Sequence, residues 1–233
     1  SGGNMNNTRR NGGCLGTQTA GLYGGGFGPP TLDYSEEYNG TSWTEGNDLS
    51  RQRECATTGF GTQTAGAVSG GNAPDNITSP YSGYSRSTDH YNGTSWSEGG
   101  NTNTARLGMA SCGTLTAGLA AGGEPPATAD TETWDGSSWT EVNNLNTANH
   151  GLRVCGTQTL ALRCGGNGGV AHTEQWDGTS WTEVNELAEG MQQHGIGGTQ
   201  TAAVIAGGDS PGITSAGQEW NFSAFETKQV TTS

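Results

Sequence analysis

Five copies of one phrase run through this chain, and that repetition limits its fold more than any other feature. Each copy opens on a Gly-Thr pair within Gly-Thr-x-Thr and passes through small residues to a Gly-Gly pair. A variable stretch, an aromatic, a tight turn and a final tryptophan follow. The Gly-Gly pairs are Gly25-Gly26, Gly70-Gly71, Gly122-Gly123, Gly165-Gly166 and Gly207-Gly208. The aromatics Tyr38, Tyr91, Trp134, Trp176 and Trp220 are 53, 43, 42 and 44 residues apart. That period belongs to four-stranded blades and is too long for leucine-rich or short helical repeats. The expected fold is all-β: one five-bladed β-propeller over residues 1–233, with four-stranded antiparallel blades. Repeats run approximately over 4–47, 48–101, 102–145, 146–187 and 188–229.

Local patterns supply the strands. In the fourth copy, His150 to Cys155 and Leu160 to Cys164 flank Gly-Thr-Gln-Thr and read as a hairpin. His172 to Trp176 and Thr179 to Glu183 flank Asp177-Gly178 and read as a second. The same turn recurs at Asn39-Gly40, Asn92-Gly93 and Asp135-Gly136, where Asn or Asp tolerates a left-handed backbone and Gly completes it. Asn221-Phe222 replaces it in the fifth copy, and Phe225 stands in for the tryptophan. Small residues fill the first two strands of each repeat, as crowding at a propeller axis requires. Trp43, Trp96, Trp139 and Trp181 belong in the wider outer gaps between blades. The five cysteines match no zinc spacing and read as small buried fillers, with a disulfide as the lesser alternative.

The Gly-Gly ending, the aromatic before a turn and the later tryptophan resemble the kelch repeat. The wording Tyr-Asn-Gly-Thr-Ser-Trp-Thr-Glu with Gly-Thr-Gln-Thr-Ala-Gly is similar to kelch-like arrays of marine bacteriophage structural and fibre proteins. The resemblance covers the whole chain. It implies a non-catalytic structural or adhesion module of a virion or extracellular fibre, sited on the virion or outside the cell. Such a module would bind a glycan or protein partner through variable loops and could join a homo-oligomer or larger fibre assembly. A secreted propeller-type carbohydrate-active enzyme is the alternative. The phase of the repeats suggests five whole blades with no exchanged strand to latch the ring. Closure would then rest on packing between the first and fifth blades, unless the repeats belong to a longer array.

A net charge of −13 argues against nucleic acid, whose phosphates need a basic surface. No apolar run reaches membrane-spanning length, so membrane insertion is not expected. The four histidines sit at unmatched repeat positions, so no metal, cofactor or catalytic set is expected. Sequons at Asn6, Asn39, Asn76, Asn92 and Asn221 carry meaning only in a secreted eukaryotic protein.

In a four-stranded meander, the links after each Gly-Gly and the links between blades share one face, the candidate binding face. The longest link, read as Asn72 to His90, carries Tyr81, Tyr84 and Arg86. These could stack on and bond to an acidic sugar. Arg9, Arg53 and Arg106 take equivalent places where the inner strands begin, with Asn149 and Met191 in the other copies. They read either as a cationic mouth for a carboxylate or sulfate, or as caps on loop carbonyls and partners of acids such as Glu45, Glu98 or Glu141.

Overall fold

A computed structural model describes residues 2–28, 32–54, 58–73, 83–209, 212–215, 217–221 and 225–228. It contains five four-stranded antiparallel sheets in propeller arrangement, each built from four consecutive strands in simple meander order. Blade 1 comprises β1 (Gly13–Thr17), β2 (Ala20–Gly24), β3 (Ser35–Tyr38) and β4 (Trp43–Glu45). Blade 2 comprises β5 (Gly59–Thr62), β6 (Ala65–Ser69), β7 (Thr88–Tyr91) and β8 (Trp96–Glu98). Blade 3 comprises β9 (Ala110–Thr114), β10 (Ala117–Ala121), β11 (Thr131–Trp134) and β12 (Trp139–Val142). Blade 4 comprises β13 (Arg153–Gly156), β14 (Ala161–Cys164), β15 (Thr173–Trp176) and β16 (Trp181–Glu183). Blade 5 comprises β17 (Gly195–Gly198), β18 (Ala203–Ala206), β19 (Gly217–Trp220) and β20 (Phe225–Lys228).

The turn between the third and fourth strands departs from the expected two-residue hairpin. Tyr38 pairs with Trp43, so four residues make the loop. Only its glycine is left-handed, with φ of 90° at Gly40 and 99° at Gly136. The acid or amide instead caps the turn: Asn39 Oδ1 accepts the Thr41 and Ser42 N–H groups, both at 2.9 Å. Asp135 and Asp177 do the same at 2.8 Å. These bonds favour the ionised acid and hold both carboxyls below their usual range.

Blades meet through contacts that recur with the sequence. Each Gly-Gly pair is left-handed throughout, and in blades 2 to 4 its first glycine admits the next blade's backbone. A Cβ on Gly122 would stand 2.6 Å from Asn149 O, and one on Gly165 2.4 Å from Met191 O. The N–H of the second glycine then donates across the seam. Gly26 bonds Arg53 O at 2.8 Å, and Gly71, Gly123 and Gly166 bond Arg106, Asn149 and Met191 carbonyls at 2.9 Å.

A second stitch runs the other way, from the Gly-Thr-Gln-Thr turn. Gln63 Nε2 donates to Gly21 O and Tyr38 O, Gln158 to Gly118 O and Trp134 O, and Gln200 to Trp176 O. In the third copy Leu115 replaces the glutamine and packs against the apolar seam instead.

Apolar side chains fill the same seams. One cluster joins Leu119 and Cys112 of blade 3 to Val154, Trp176 and Trp181 of blade 4; another joins Leu162 and Cys155 of blade 4 to Ile205 and Trp220 of blade 5. Trp139 Nε1 donates to Thr88 Oγ1 of blade 2 at 2.9 Å, and Trp181 Nε1 to Thr131 Oγ1 of blade 3 at 3.1 Å. Both rings are thus packed and bonded between blades. Trp96 lies half-buried against blade 1, while Trp43 is half-buried next to Tyr38. Cys112, Cys155 and Cys164 are buried free thiols; burial raises all three, Cys155 to about 12, so they act as fillers rather than nucleophiles. Cys14 is also free but exposed.

Candidate functional site

The arginine row does not form an open mouth. Arg9, Arg53 and Arg106 are buried, each in an ion pair with an acid of the third strand in its own blade: Glu36 at 3.0 Å, Asp89 at 2.7 Å, and Glu132. The same guanidinium groups cap loop carbonyls. Arg9 donates to Tyr34 O, Arg53 to Ser87 O and Arg106 to Asp130 O, at 2.7–2.9 Å. The expected acids Glu45, Glu98 and Glu141 are cross-strand neighbours of the true partners. The row therefore knits each blade's links to its sheet, because an arginine removed from water at this depth needs a charge and acceptors around it.

The exceptions support that reading. In blade 4 Asn149 replaces the arginine, yet Glu174 remains. Arg163 of β14 supplies the cation, at 3.8 Å, from a column otherwise filled by Tyr23, Val68, Ala120 and Ile205. In blade 5 both charges are gone together: Met191 and Gln218 occupy the two places, with Gln218 Nε2 3.7 Å from the Met191 sulfur.

Among the described residues of the long link, neither Tyr84 nor Arg86 bonds to an arginine of the row. Tyr81 lies outside the described residues, and Tyr84 is half-buried on an isolated bridge to Asn72. Arg86 Nε donates to Thr102 O at 2.6 Å, tying the link to the next blade's approach segment. His90 belongs to β7 rather than to the link, with its ring 4.9 Å from Trp134.

An open site lies one residue inward, around the axis. On the face where the inner strands begin, Arg10, Asn11, Glu124, His150, Arg153 and Gln193 line a cavity of about 480 Å³. Beneath it an axial space of about 450 Å³ is lined by inner-strand residues of all five blades, from Cys14 and Gly59 to Ser111, Val154 and Ile196. Arg153 borders both spaces.

Arg153 Nε donates to His194 O at 2.8 Å, and Nη1 reaches the Gly151 and Leu152 carbonyls. Neither Arg153 nor Arg10 has an ion-pair partner among the described residues, where the four buried arginines above each have one. Burial lowers Arg153 to about 10, which leaves it charged at neutral pH. Arg10 lies over the Phe27 ring at 4.9 Å, and His150 Nε2 is 3.4 Å from Glu124 Oε2.

Two backbone outliers frame this mouth. Asn11 and Gln193 have φ of 57° and 55°, where the matching positions in blades 3 and 4 are Gly108 and Gly151. A non-glycine residue held there costs on the order of 1 kcal/mol, and such strain collects at ligand-binding positions.

Sequence reasoning passed over Arg153, although a signal was present. Its column on the innermost strand otherwise holds Gly13, Thr58, Ala110 and Gly195, and a long cation among such small residues is the exception that marks the axis.

No protein-family model matches this chain, and no curated protein matches it. The fold, a five-bladed β-propeller of antiparallel blades, stands on the repeat and the sheets themselves.

Proposed function

We propose that this propeller is a non-catalytic binding module that takes an acidic glycan at its axial mouth. Arg10 and Arg153 carry the reading: two guanidinium groups without carboxylate partners among the described residues, facing one cavity of about 480 Å³ in a chain of net charge −13. Guanidinium groups bond carboxylate and sulfate through paired N–H donors, and partial burial strengthens that contact. Asn11 and Gln193 add adaptable amides at the rim, held in costly backbone conformations. Glu124 is the one acid on this mouth among the described residues, whereas glycoside hydrolysis ordinarily uses two facing carboxyls. That favours binding over turnover. The kelch-like wording of the repeats adds the setting, a virion or extracellular fibre whose rigid head presents this face.

A glycan array of sulfated, uronate-bearing, sialylated and neutral sugars tests the proposal, read with wild type, Arg153→Met and Arg10→Gln. Binding should be confined to acidic glycans, weaken with salt, and fall at least tenfold in either variant. Binding to neutral glycans alone, or acidic-glycan binding that both variants retain, would overturn it. Turnover of a bound glycan would favour the carbohydrate-active enzyme instead.

A further inference from the structure

Four seams between blades carry the glycine bond and three of them the glutamine bond as well, whereas the fifth, between blade 5 and blade 1, carries neither among the described residues. Gly208 holds the place of Gly26, Gly71, Gly123 and Gly166, yet its N–H makes no bond to the Arg9 carbonyl. A Cβ on Gly207 would meet only Thr214 O at 3.9 Å, whereas at Gly70, Gly122 and Gly165 the next blade's backbone stands within 2.6 Å. Gln18 holds the place of Gln63, Gln158 and Gln200, but it is exposed and its amide makes no bond to the described residues of blade 5. Val204 sits in the column of Leu22, Ala67, Leu119 and Leu162, all 0% exposed against the following blade, and is itself 52% exposed. On the facing side Cys14 is exposed, while Val154 in the same column is buried against blade 3.

We propose that the outgoing face of blade 5 docks the incoming face of blade 1 from a second copy of this chain. The two faces are the separated halves of an interface built four times within the molecule. One side offers the Gly208 N–H, the apolar Val204 face and the carbonyls of blade 5; the other offers the Arg9 carbonyl, the Gln18 amide, Cys14 and Trp43. Because the halves differ, the contact is heterologous, and each copy keeps one face free after pairing. Such an interface runs on until it closes into a ring or extends as a filament. Stability in stacked repeats comes from neighbour interfaces, so the contact is of the kind that already holds the chain together.

Sedimentation velocity over a concentration series tests this with the whole chain and two variants, Val204→Arg and Cys14→Arg, each at an exposed position. Wild type should associate as concentration rises, and either variant should weaken association at least tenfold. An equimolar mixture of the two variants should form a 1:1 dimer that grows no further, since each supplies the face the other lacks. A wild type that stays monomeric at every concentration would overturn the proposal. So would association that either variant leaves intact, or a mixture that remains monomeric. If Val204→Arg lowers the unfolding midpoint of a monomer, the chain's own blade 1 covers that face and the proposal fails.

Discussion

Single side chains show where the repeat is obeyed for stability and where it is broken. Arg106 with Glu132 and Met191 with Gln218 are two solutions at one pair of positions, charged in blade 3 and uncharged in blade 5. Removing one buried partner strands the other, so Arg106→Met or Glu132→Gln alone should cost about 3–5 kcal/mol in urea unfolding. The double variant, which copies blade 5, should cost far less than the sum, a coupling a double-mutant cycle measures directly. His194 gives a pH signature. It is buried with neither ring nitrogen hydrogen-bonded, and burial, aided by Arg153, lowers its pKa from 6.5 to about 4. Between those values the unfolded chain binds a proton that the folded chain does not. Stability is therefore full above pH 6.5 and falls, by on the order of 3 kcal/mol, as pH drops toward 4. Stability curves for wild type and His194→Leu over that range should differ in slope, and equal slopes would contradict the assignment. The arginines stood out in the sequence but their partners did not, because the acids lie 26 or more residues away and only the sheet brings them together.

At the scale of elements, the strands and their order could be read from the repeat with few errors. The Gly-Thr-x-Thr turns, the Gly-Gly pairs and the outer tryptophans each mark a fixed point on a blade; β14 to β16 fall within the segments their residues indicated, and β13 runs one residue past its segment, to Gly156. The third-to-fourth turn was placed correctly but explained wrongly, since backbone N–H groups, rather than a left-handed Asn or Asp, use the side chain. What each column faces was less legible, because a period-two strand gives two faces without saying which blade covers which. The seam assignments carry their own prediction. Trp139→Ala, which removes a ring bonded to Thr88 and packed on Phe60, should cost about 3–5 kcal/mol. Trp43→Ala, at the unsealed seam, should cost clearly less in the monomer, and equal losses in thermal unfolding would contradict the difference in packing.

At the scale of the whole molecule, five short sheets gain their stability from neighbours, and the face where their links converge holds Arg10 and Arg153, cations with no ion-pair partner among the described residues. On that face the sequence singled out Arg9, Arg53 and Arg106, which lie buried in ion pairs, since a charged residue in a repeating column reads as a site until the sheet supplies its counter-ion. The central claim is that repeated residues make repeated seams, four sealed and one open. Amide hydrogen exchange followed by NMR on the dilute Val204→Arg monomer tests this at five equivalent glycines. Gly26, Gly71, Gly123 and Gly166 should exchange slowly behind their bonds across the seams, and Gly208 should exchange at nearly the rate of an unprotected amide. Protection of Gly208 equal to the other four, in a monomer, would show a closed ring and contradict the account.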